Sequence, residues 1–127
     1  MLSTSKLDAF RVEDTVLIQG SSDDLRSFAE FLSAWSNAPT EGYLSDIAGF
    51  DPGKIPIKII ESGNNRGRGM HFENGAEGTC LWTITKLQAA RFSEVVAELA
   101  ASLRPGHVYL DSPRGELAVV VSMGEYQ

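Results

Sequence analysis

Cysteine is nearly absent from this chain. Cys80 stands alone, so no disulfide can form within the molecule, and a reducing compartment is expected. Long apolar runs are missing too. None approaches the roughly eighteen residues that span a bilayer, so no membrane partner is expected. The first residues show no basic stretch followed by an apolar one, so no signal peptide is expected and the reading is a cytoplasmic protein. Basic residues are outnumbered, with 11 Lys and Arg against 17 Asp and Glu, a net charge of −6. That balance argues against binding a phosphate backbone, and no nucleic-acid partner is expected. Histidine occurs only at His71 and His107, and neither has companions at metal-ligand spacing. Neither a metal nor a cofactor is expected. A P-loop, a Gly-x-Ser-x-Gly elbow and a zinc-protease helix motif are all lacking.

What is present reads as one α+β domain over residues 1–127, with residues 1–11 loosely held. Thr15 to Gln19 has the composition of a strand, and Gly20 ends it. Ser21 and Ser22 are good helix N-caps, and Asp23 and Asp24 suit the positive end of a helix. Leu25, Phe28, Phe31, Leu32 and Trp35 recur every three or four residues, the apolar stripe of a helix that Pro39 stops. Ile55–Glu61, Gly69–Glu73 and Thr79–Thr85 read as strands, with Asn74-Gly75 as a tight turn. Thr85 and Gln88 fit a capping box. Leu87, Phe92, Val95, Val96, Leu99 and Leu103 give the second helix its apolar face. His107 to Asp111 and Glu116 to Tyr126 flank the turn Ser112-Pro113-Arg114-Gly115, a β-hairpin. The predicted order is β-α-β-β-β-α-β-β. Most connections between strands are too short for parallel crossovers, so the expected product is a two-layer domain, a mainly antiparallel sheet with two helices on one face. No repeat with shared motifs stands out.

Few residues invite a functional reading. The Gly63–Gly69 segment holds Arg66 and Arg68, but a flexible turn accounts for it better than a phosphate site. Cys80 shares a strand face with Trp82 and Ile84 and reads as core. The acidity is concentrated: residues 1–52 carry nine Asp and Glu against three Lys and Arg. Within that part, residues 36–54 form a long segment rich in Gly and Pro after the first helix. It brings Tyr43 and Phe50 together with Glu41, Asp46 and Asp51. Aromatics anchor interfaces and acidic neighbours steer a basic partner, so these five are the candidate partner-binding residues.

The strand Thr79–Ile84, the helix Leu87–Leu103, the run His107-Val108-Tyr109-Leu110-Asp111 and the strand Leu117–Ser122 with Glu125-Tyr126 resemble a family of predicted immunity proteins from bacterial polymorphic toxin systems, immunity protein family 32. The resemblance covers about the last fifty residues. It implies a non-enzymatic protein that binds and neutralises a cognate toxin, which by charge complementarity would be basic. Two other readings stay open. One is a small enzyme, or an enzyme's accessory subunit, using His71 or His107 with Asp111 as acid and base. The other is a small regulatory domain forming a homodimer through a sheet edge.

Overall fold

Gly20 ends one strand and Ser21 starts a helix by a reciprocal cap. Ser21 Oγ accepts the Asp24 N–H, and the Asp24 carboxylate accepts the Ser21 N–H at 2.9 Å. Thr85 and Gln88 build the same device at the second helix. In the computed structural model these caps open α1 (Ser22–Asn37) and α2 (Lys86–Ser102). The structure describes residues 2–10, 13–47, 49–50, 56–63, 67–73, 79–110 and 117–124. Among these residues eight strands accompany the helices: β1 (Ser3–Phe10), β2 (Glu13–Gln19), β3 (Gly42–Tyr43), β4 (Ile57–Glu61), β5 (Gly69–Phe72), β6 (Cys80–Ile84), β7 (Gly106–Tyr109) and β8 (Ala118–Met123).

The α+β class and the order of the expected elements hold. Two strands are added. Residues 3–10, expected to be loosely held, pair antiparallel with β2 as β1. The two-residue β3 pairs with β4. The larger difference is that the strands divide between two sheets, β1-β2-β8-β7 and β3-β4-β6-β5, where one was expected. Antiparallel pairing prevails, but each sheet has a parallel pair at its centre, β2 with β8 and β4 with β6. Among the described residues the sheets meet through the isolated bridges Leu2 with Phe50 and Met70 with Leu117. Turn lengths constrain only sequence neighbours, whereas both central pairs join strands separated by other elements.

The element order is β-β-α-β-β, twice. Each sheet takes one hairpin from each half and joins them through their inner strands. A shift of 64 residues carries N-cap Ser21 onto N-cap Thr85, and Ala29 onto Ser93, whose hydroxyl donates to the Ala29 carbonyl across the helix pair at 2.7 Å. The same shift carries the pairs Gly42–Ile59 and Tyr43–Lys58 onto Gly106–Met123 and His107–Ser122. The helices run antiparallel: Ser22 at the start of α1 donates to the Ala100 carbonyl near the end of α2. The duplication lies in topology, with few shared residues, among them Leu17 and Leu81, Phe28 and Phe92, and Gly42 and Gly106.

One core joins both sheets and both helices. At its centre lies Trp82 on β6, fully buried. It stacks on Phe92 of α2 with ring centroids 5.7 Å apart and packs tilted against Phe28 of α1 at 6.3 Å. Phe92, Val96 and Leu99 face inward as the periodicity predicted, and Val95 is half-buried. Leu87 and Leu103 are corrections. They are 74% and 73% exposed, because the second residue after the cap and the C-cap itself lie where the helix ends turn away from the core. Leu103 closes α2 in the left-handed conformation at φ 55°.

Candidate functional site

The segment after α1 is fixed at both ends. Trp35, buried in the last turns of α1, donates its indole N–H to the Thr40 carbonyl at 2.7 Å and folds the chain back over the helix end. Two successive tight turns follow. The Ile47 N–H donates to the Leu44 carbonyl and the Phe50 N–H to the Ile47 carbonyl. A repeat of three puts Leu44, Ile47 and Phe50 on one side, and all three enter the core. Tyr43, Ser45 and Asp46 are left outside.

That partition corrects one candidate. Phe50 is 8% exposed and bridges to Leu2, so it is a core residue and offers no surface for a partner. Asp51 lies outside the described residues. Tyr43, Glu41 and Asp46 remain together at the surface. Tyr43, on the edge strand β3, is 42% exposed. Its backbone N–H donates to the Asp46 carboxylate at 3.3 Å, which holds that acid beside the strand.

The structure adds a residue that sequence reasoning missed. Lys58 of β4 stands opposite Tyr43 in the antiparallel register. Its ammonium is ion-paired with the exposed Glu41 carboxylate and lies 6.0 Å from the centre of the Tyr43 ring. The Lys58 side chain keeps only 24% of its surface in contact with water. Its hydrogen bond to Glu41 raises the ammonium above the ordinary lysine value against the opposing effect of desolvation, and the charges of Glu41 and Glu73 add to the rise. The signal in the sequence was a single lysine inside the apolar run Ile57–Ile60, but only the β3–β4 register ties it to Tyr43.

The other candidates are separated. His71 lies buried on β5, its Nδ1 3.3 Å from the Gly69 carbonyl. His107 is exposed on β7, in the other sheet, edge-on to Tyr109 at 5.6 Å. Asp111 lies outside the described residues. Among the described residues no three of His, Cys, Asp and Glu gather to hold a metal ion. Cys80 is buried, as its strand face predicted. Asp24 serves the cap of α1, and Asp23 pairs with Arg26 at 3.0 Å. In the glycine-rich segment, whose residues 64–66 lie outside the described ones, Gly67 packs against Gln88 at the start of α2. Gly67 has φ 71°, and a Cβ there would lie 2.4 Å from the Gln88 side-chain oxygen. No described helix is long and apolar enough to cross a membrane. Comparison with family models, with curated proteins and with solved structures finds no match.

Proposed function

We propose that the protein is a non-enzymatic immunity protein that binds and neutralises a cognate toxin through the surface around Tyr43. The observation that supports this reading is the setting of that ring. A half-exposed aromatic sits on an edge strand, with Glu41 and Asp46 beside it, in the most acidic part of the chain. Central aromatics supply much of an interface's energy, while surrounding acids set association rate and salt sensitivity. The resemblance of the C-terminal half to immunity proteins gives the class of partner, and the net charge of −6 favours a basic one.

The test is a titration with the product of the neighbouring reading frame at two ionic strengths, together with rescue of cells expressing that product. Tyr43→Ala is expected to weaken binding by about 2 kcal/mol or more, as central anchors do. Asp46→Lys is expected to slow association and flatten its salt dependence. Binding by both variants equal to that of the parent would place the interface elsewhere.

A further inference from the structure

We infer that Glu41 and Tyr43, at the β3 edge, form a receptor for an arginine side chain of a protein partner, and that Lys58 of β4 fills it in the free protein. The inference rests on the preceding reading that a partner docks at this surface.

The local charge is unbalanced. Glu41 and Asp46 flank Tyr43, and Glu73 acts on the same ammonium from the turn after β5. Among the described residues Lys58 is the cation paired with Glu41 and acted on by Glu73. It lies over the ring and pairs with Glu41, so its contacts outline what an incoming cation would meet: an aromatic face and a carboxylate on one side of it. A guanidinium suits that pair better than an ammonium does. It is planar, stacks on an aromatic ring, forks onto a carboxylate, and loses less hydration in doing so.

The duplicated fold supplies an internal control. At the corresponding edge of the other sheet, His107 stands where Tyr43 does, a fully buried Ser122 where Lys58 does, and Pro105 where Glu41 does. The backbone pairing there is the same. The frame therefore does not require an acid and a lysine beside the ring at this edge. With no structural demand for them, their meeting on an acidic surface is assigned to recognition of a cation.

The probe is the peptide acetyl-Arg-Gly-Arg-amide, titrated into the full ¹⁵N-labelled chain at low salt, with its citrulline counterpart as the neutral control. The Gly42 and Tyr43 amide signals are expected to move with the arginine peptide and stay still with citrulline. Lys58→Met empties the site and is expected to bind the arginine peptide about fivefold more tightly, the size expected for removing one partly hydrated competitor. Adding Tyr43→Leu to Lys58→Met is expected to cancel that gain. Glu41→Gln, which leaves β4 untouched, is expected to weaken binding in either background. No gain in Lys58→Met, or equal shifts around Glu94 and Glu98 on α2, would overturn the receptor. Peptide binding without toxin binding would sink the immunity reading and leave the receptor standing. Toxin binding indifferent to Lys58→Met and Glu41→Gln would do the reverse.

Discussion

Trp82 poses a quantitative question at the centre of the core. It is fully buried between Phe92 and Phe28, and its indole N–H has no hydrogen-bond partner among the described residues. Replacing it with Phe keeps a ring for Phe92 to stack on but removes two carbons and the N–H. Losing two buried carbons costs roughly 1.6 kcal/mol in transfer free energy. The residual void, on the order of 35 Å³ at about 24 cal/mol per Å³, adds about 0.8 kcal/mol. Against these stands relief of an unpaired buried donor, worth about 1–3 kcal/mol. The terms nearly cancel, so Trp82→Phe should change stability by no more than about 1.5 kcal/mol. Phe92→Ala removes the stacked ring with no such offset and should cost about 3–5 kcal/mol. Urea titrations followed by far-ultraviolet circular dichroism measure both, with the slope checked for a constant two-state transition. A loss in Trp82→Phe as large as that in Phe92→Ala would refute the reasoning, because it would mean that the N–H makes a favourable bond.

Three further outcomes follow from the caps. Gly67→Ala forces a Cβ into the Gln88 side chain at a positive φ, and should cost more than about 1 kcal/mol by chemical denaturation, since it strains the turn and opens the α2 capping box together. Leu103→Gly should stabilise the chain by up to about 1 kcal/mol, because an exposed leucine holds the left-handed C-cap at little packing gain; no change would mean that its side chain is anchored. Partial burial raises the Asp24 carboxyl, but the hydrogen bonds it accepts, those from Ser21 among them, hold it below the ordinary aspartate value. A depressed carboxyl stabilises the fold above its unfolded pKa and loses that contribution as the pH falls through the folded one. The stability gap between parent and Asp24→Asn should therefore be full near neutrality and shrink below about pH 4, measured by urea titration at stepped pH.

The helices were legible because their signals are local. Thr85 and Gln88 lie three residues apart, and the stripe Phe92, Val96, Leu99 repeats within one element. The sheets were less so. The sequence of β1, Ser-Thr-Ser-Lys-Leu-Asp-Ala-Phe, is mostly polar, which suits an edge strand but does not announce one. In contrast, Ala118–Met123 is buried at every position, and such a run, apolar except for Ser122, marks a strand covered on both faces beside a parallel neighbour. That signal pointed to the centre of a sheet, but nothing in it names β2 as the neighbour. For the candidate surface, residue type placed Tyr43, Glu41 and Asp46 together. It misplaced Phe50, because an aromatic in a Gly-rich loop reads as exposed until the two successive turns are seen to aim it inward. Lys58 escaped notice because its partners are set by register between strands, and register follows from the whole sheet.

The exchange of hairpins between the two halves has a consequence for how the chain folds. Thr15 of β2 pairs with Ala118 of β8, so nearly the whole chain lies between residues that meet at the centre of the first sheet. Such non-local contacts pay their closure entropy before they return any packing energy, which slows folding. On the ribosome β1, β2 and α1 emerge long before β8, and the inner edge of β2 must wait for it. Until then Val16, Leu17 and Ile18, all buried in the finished molecule, face an absent neighbour. The early half is therefore the aggregation-exposed one during synthesis, and the last strand to arrive is the one that closes it.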